Sequence, residues 1–196
     1  MKSRNLILIV VLAVILILGG CGCGRYNKMV NLDETVKNKW ANVQSDYQRR
    51  ADLIPNLVST VKGAANFEQE TLTRVIEARS KATSMNVSPE NLTPENIEKF
   101  QQAQSQLSGA LSRLLVVAEQ YPQLTATQNF RDLQTQLEGT ENRIKVSRND
   151  FNAAVLEYNS TVRRFPNNLF AGMFGFRPKP PFQAEAGSER APRVEF

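Results

Sequence analysis

Three runs of apolar residues in this chain step by three and four, and that spacing limits the fold more than any other feature. Val36, Trp40, Val43, Tyr47, Ile54, Leu57, Val61 and Ala64 keep one register, with Arg50 inside the stripe. Ile97, Phe100, Leu107, Leu111, Leu114, Ala118 and Tyr121 keep a second, interrupted by Gln104. Phe130, Leu133, Leu137, Ile144, Phe151, Ala154 and Tyr158 form a third, with Thr140 and Ser147 at the missing steps. Steps averaging near 3.5 draw one buried seam along each helix of an antiparallel bundle. No β-branched alternation runs long enough to suggest a strand. The spacing predicts an all-α protein, an antiparallel up-and-down four-helix bundle of long helices.

Prolines and caps set the expected boundaries. Thr93-Pro94-Glu95 offers an N-cap hydroxyl, a proline at the first helical position and a carboxylate in the first turn. Pro122 should close that helix after Tyr121, and residues 85–92 read as the loop before it. Thr125-x-x-Gln128 has the form of a capping box, opening a last helix that runs to about Phe165 before Pro166. Pro55 is harder. It removes a helical hydrogen bond and costs ~3 kcal/mol in a helix interior. An unbroken helix from Tyr26 to Ser84 would extend roughly 88 Å, half of it without partners. The expectation is therefore a turn at Pro55, separating helix 31–53 from helix 56–84. Residues 168–176 read as a segment folded back on the bundle end, and 177–196 as a disordered tail. The expected division is 1–20 signal or anchor, 21–30 tether, 31–170 bundle and 171–196 flexible tail.

The N-terminus speaks to location. Lys2 and Arg4 precede thirteen unbroken apolar residues at 6–18, then Gly19-Gly20-Cys21. A basic start, an apolar stretch of this length and small residues at the cut describe a secretory signal. Leu18-Gly19-Gly20-Cys21 resembles the bacterial lipobox, which implies lipidation at Cys21 and cleavage before it. The competing reading is a retained span, short against the ~20 residues a bilayer needs but extendable through Cys21 to Gly24. Both readings keep Lys2 and Arg4 cytoplasmic and export the chain from Arg25 onward.

Composition narrows the chemistry. Without Lys2 and Arg4 the net charge of +5 falls to +3, with no basic cluster that would track a phosphate backbone, so nucleic acid is not an expected partner. The cysteines, Cys21 and Cys23, are too close to staple a fold, and without histidine a zinc site lacks ligands. Zero histidines also remove the commonest general base. No nucleophile elbow, phosphate loop or calcium loop is present. The chain is expected to be no enzyme and to need no cofactor or metal.

The residues Tyr26-Asn27-Lys28-Met29-Val30, Trp40-Ala41-Asn42-Val43 and above all Gln48-Arg49-Arg50-Ala51-Asp52-Leu53-Ile54-Pro55-Asn56-Leu57-Val58 resemble the LemA family. The likeness continues through Thr60-Val61-Lys62-Gly63, Glu68, Ala78-Arg79 and Ala118-Glu119-Gln120-Tyr121-Pro122-Gln123-Leu124. It returns at Phe130-Arg131-Asp132-Leu133-Gln134, Glu141-Asn142-Arg143-Ile144, Tyr158-Asn159 and Phe165-Pro166. This resemblance implies a membrane-anchored bacterial protein whose compact antiparallel four-helix bundle lies outside the cytoplasm. It brings no settled activity, substrate or cofactor. Members carry an N-terminal membrane helix, and the cysteine after a shortened apolar run departs from that pattern.

Some residues are unusual for a plain bundle. Asp52 is placed to accept from backbone groups freed at Pro55, and Arg49 or Arg50 to cap the last carbonyls of the preceding helix. Alternatively Arg50, within the stripe, forms a buried charge pair with Glu68 or Glu141 that fixes helix register. Asn56, Asn142 and Asn159 are candidates for a polar pocket near a helix end, against the plainer reading that they cap or face solvent. The Phe170, Phe174 and Phe176 cluster packs over the bundle end or docks a partner or bilayer. The functional expectation is an interaction or scaffold module held at the cell envelope by a lipid anchor or a single N-terminal span, with a protein partner there. The alternative is a small-ligand or carboxylate-based enzyme site built on Asp52, Glu68 or Glu141. Homo-oligomerisation stays open because Leu115 and Leu156 fall off the seams.

Overall fold

A computed structural model describes residues 2–63 and 67–183, with side chains from Gly24 onward. The apolar run 6–18 and Cys21 therefore lie outside the described side chains. Among the described residues no helix is long and apolar enough to cross a membrane.

The architecture is all-helical: α1 (Lys2–Lys62), α2 (Gln69–Ser84), a 3₁₀ turn (Pro89–Asn91), α3 (Pro94–Ala118), α4 (Pro122–Thr125), α5 (Gln128–Arg163) and α6 (Asn167–Phe174). No strand occurs among the described residues. Cross-helix contacts set the directions. Lys39 pairs with Asp150 and Arg50 with Glu141, so α1 and α5 run antiparallel. Trp40 meets Phe100 and Arg50 meets Gln104, so α1 and α3 run parallel. Gln104 reaches Ala82 while Thr71 and Arg74 lie beside Gly109 and Arg113, so α2 is antiparallel to α3.

Pro55 does not break the chain. α1 continues through it to Lys62, and the reversal comes instead between Lys62 and Gln69. From Gly24 to Lys62 the helix spans ~58 Å, close to the ~54 Å of α5, so its seam is covered. The pyrrolidine ring sits on the exposed face. The carbonyl it orphans, that of Ala51, accepts a hydrogen bond from Arg79 Nε at 2.7 Å.

The first seam is buried as its spacing predicts, with Val36, Trp40, Val43, Ile54, Leu57 and Val61 fully enclosed; Ala64 lies outside the described residues. The polar interruptions Arg50, Gln104, Thr140 and Ser147 are buried too. Thr140 and Ser147 satisfy their hydroxyls on the carbonyls of Gln136 and Ile144 within their own helix. Thr93 caps α3 as expected, accepting from Asn96 N at 3.2 Å. The cap of α5 is Thr127, which accepts from Phe130 N. Thr125 is not that cap, because it closes the short α4 and donates to Pro122 O at 3.2 Å.

The expected tail is ordered through Gln183. After α6, residues 177–183 lie along α5 and bury Phe182 among Trp40, Phe100 and Phe151. Residues 184–196 lie outside the described residues.

Candidate functional site

Two assemblies gather the polar side chains that packing alone does not require. The first is centred on Arg50, which is 2% exposed and the one charged residue buried among the described residues. Its Nη1 donates to Glu141 Oε2 at 2.9 Å and to Ser108 Oγ at 2.8 Å. Its Nη2 donates to Gln104 Oε1 at 2.8 Å and to Gln104 O at 3.3 Å. The guanidinium lies 5.0 Å from the Tyr47 ring centroid, while buried Nε has no hydrogen-bond partner. Gln104 Nε2 in turn donates to Ala82 O at 3.4 Å. One side chain on α1 thus ties α3 and α5 directly and α2 through Gln104, all at one level.

Of the two carboxylates considered for Arg50, Glu141 is the partner and Glu68 is not. Glu68 accepts from Thr71 Oγ1 at the start of α2. The pair is buried on one side only, since the Glu141 side chain is 60% exposed. Arg49 and Arg50 do not cap the last carbonyls of a helix ending before Pro55, because α1 has no end there. Asp52 is exposed and accepts from Gln48 Nε2 at 2.7 Å, one turn back. Pro55 and Asn56 are exposed on α1. The asparagines do not converge: Asn142 lines a cleft of about 440 Å³ between α1 and α5, Asn56 is not among its lining residues, and Asn159 serves another purpose. Asp52, Glu68 and Glu141 are likewise dispersed, and none lines that cleft or the 860 Å³ cleft near Thr60, Tyr121 and Leu124.

The second assembly is a strap clamped by two asparagines on α5. Asn159 Oδ1 accepts from Lys179 N and its Nδ2 donates to Lys179 O, both at 2.8 Å. Asn152 does the same to Phe182, accepting from N at 2.8 Å and donating to O at 3.2 Å. Seven residues of α-helix advance about 10.5 Å, and three of a proline-biased extended chain about 9 Å, so the two clamps match in pitch. Pro178, Pro180 and Pro181 bias this segment toward extension and lower what its ordering costs in entropy.

Side chains finish the attachment. Lys179 Nζ pairs with Asp33 Oδ1 of α1 at 2.7 Å and lies 5.5 Å from the Tyr158 ring centroid. Burial pushes the Asp33 carboxyl up, but hydrogen bonds from Lys179 and Lys37 outweigh it and hold the group below its usual value. Lys37 is raised by its hydrogen bonds to Glu34 and then Asp33. Burial, followed by the Asp33 charge, pushes the Tyr158 phenol up to about 12.

A family model for the LemA family matches residues 39–196, four-fifths of the chain and both assemblies apart from Asp33, Glu34 and Lys37. This chain belongs to the LemA family. Its relatives include magnetosome protein MamQ 2 of Paramagnetospirillum magneticum, 27% identical over 182 residues, covering 84% of this chain and 67% of that protein. MamQ of Magnetospirillum gryphiswaldense is 26% identical over 170 residues, covering 78% of this chain and 62% of the relative. Protein LemA of Metamycoplasma hominis is 25% identical over 148 residues, covering 76% and 64%. The chain thus spans about two thirds of the length of these bacterial relatives.

Within this LemA-family chain, sequence reasoning had singled out Arg50, Glu141 and Asn159 but missed the strap. The available signal was Asn152 and Asn159 on one face, two helical turns apart, together with Phe182 directly after Pro180-Pro181.

Proposed function

We propose that this LemA-family protein is a membrane-tethered helical bundle at the cell envelope that works by contact rather than by chemistry. In this reading α1, α2, α3 and α5 act as one antiparallel four-helix bundle. Residues 6–18 with Cys21 attach it as a lipid anchor or retained span, with the bundle outside the cytoplasm. The observation that carries the reading is the Arg50 cluster. A buried guanidinium engaged by α1, α3 and α5 acts as a register lock, and such polar interactions serve specificity of packing more than net stability. The dispersed carboxylates also favour contact over the ligand-site or carboxylate-enzyme alternative, which needs Asp52, Glu68 or Glu141 around one cavity. Relatives named for the magnetosome on one hand and simply LemA on the other support a module that serves more than one setting.

The test is photocrosslinking in intact cells from exposed positions such as Leu156, with residues 1–20 present and deleted. A reproducible adduct with one envelope protein, lost when the anchor is deleted, is the expected result. Adducts only with a second copy of the chain would make the protein a homo-oligomer instead, and no reproducible adduct from any exposed face would overturn the contact reading.

A further inference from the structure

The outer face of α6, which no described residue covers, stands at the end of the molecule nearest the apolar run 6–18. Arg25 Nη1 donates to Asn167 Oδ1 at 2.6 Å, and Tyr26 lies edge-on to Phe174 and Phe176 at 5.0 and 5.7 Å. Tyr26 follows Leu18 along the same helix by about 12 Å. Ala171, Phe170 and Phe176 face inward against the core. The exposed apolar side chains here are Leu169 and Met173, four residues apart on α6, and Phe165, just before the proline that caps it; they are 62%, 76% and 80% exposed. Packing over the bundle end accounts for the inward residues and leaves these three uncovered among the described residues.

Charge says what covers it. The sequence holds no Asp or Glu between Glu157 and Glu185, nor between Gly24 and Leu32. At this end Lys28, Arg163, Arg164 and Arg177 are exposed. An apolar patch rimmed by basic side chains matches the interface of a bilayer containing anionic lipid. We propose that α6 lies in the headgroup layer of such a bilayer, Phe165, Leu169 and Met173 turned into it and the arginines on its phosphates. This rests on residues 6–18 engaging the membrane, and it would fix the bundle's orientation there instead of letting it swing on a tether.

The experiment uses full-length protein carrying Met173→Trp, or Val116→Trp at the far end of α3 as a reference. Each is reconstituted in phosphatidylcholine vesicles with and without phosphatidylglycerol, doped with nitroxide lipid. Trp40 is buried and gives a constant background. The expected result is a blue shift and loss of emission at position 173, stronger with phosphatidylglycerol, and neither at 116. Arg163→Glu with Arg164→Glu should abolish the phosphatidylglycerol increment. Equal emission loss at 173 and 116 in protein that floats with the vesicles would overturn the α6 contact and leave the tether standing. Protein that does not float with either vesicle would overturn both. Met173 crosslinking to a second copy without lipid quenching would also overturn the proposal.

Discussion

Pro55 and Arg79 are linked through one backbone carbonyl, that of Ala51. The proline deletes the amide that would have bonded Ala51 O, and Arg79 from α2 supplies the missing donor at 2.7 Å. A defect in α1 has thereby become a point of attachment for α2.

This coupling can be measured. Arg79→Met should cost about 1–2 kcal/mol, the price of leaving a part-buried carbonyl without a donor. Pro55→Ala restores the helical amide and should stabilise an exposed helix position by ~1–3 kcal/mol. In the Pro55→Ala background the Arg79→Met loss should shrink by about 1 kcal/mol or more. Additive denaturation free energies for the two changes would show that Arg79 does not answer Pro55.

The seams were legible because helical burial leaves a period, and even their polar gaps held their places: Arg50, Gln104, Thr140 and Ser147 are all inside. Pro55 was misread because its remedy sits in another helix, at Arg79, where no local pattern announces it. The strap was misread for a similar reason. An extended proline-rich stretch has no internal period, and its backbone bonds go to carboxamides on α5 instead of to neighbours in sequence. Glu141 was identifiable as a partner of Arg50, but its exposure was not, since the stripe does not tell which end of a charge pair meets water.

That exposure sets the expected asymmetry of the Arg50 cluster. Glu141→Gln should cost under about 1 kcal/mol, because the carboxylate is largely solvated already. Arg50→Met should cost ~2–3 kcal/mol by stranding the acceptors of Gln104 and Ser108, below the cost of breaking a pair buried on both sides. Arg50→Lys should recover little of it, since an ammonium cannot span three partners as the guanidinium fork does. Thermal melts of Arg50→Met at the wild-type temperature would place the guanidinium in solvent and remove the register lock.

The strap should be separable from the bundle. Asn152→Ala and Asn159→Ala each remove two hydrogen bonds and should loosen residues 177–183 by about 1–2 kcal/mol. Asn159→Asp keeps the acceptor for Lys179 N and loses the donor to its carbonyl, so it should fall between wild type and alanine. Phe182→Ala empties an aromatic site and should cost ~3 kcal/mol. Hydrogen exchange resolves the prediction: Lys179 and Phe182 amides should lose protection while those of α2 and α3 do not. Uniform loss across all helices would mean the strap belongs to the bundle's own cooperative unit.

The Asp33–Lys179–Tyr158 cluster gives the strap a pH range with two limits. Asp33 titrates below its ordinary value of 3.8 in the folded protein, so its contribution is complete above that pH and is lost as pH falls through the lowered folded value. Tyr158 is shifted from 10.0 to about 12, so its contribution is complete below pH 10.0 and is lost as pH rises toward about 12. Between these limits the strap should stay closed. Trp40 emission reports it, because Phe182 stacks on that ring with centroids 5.8 Å apart. Asp33→Asn should weaken the strap at neutral pH by unpairing Lys179, and its deficit should vanish in acid, where wild-type Asp33 is also neutral. Tyr158→Phe should weaken the alkaline limb and leave the acid limb in place. If Trp40 emission follows the same curve at both limits in wild type, Asp33→Asn and Tyr158→Phe, these two groups do not govern the strap.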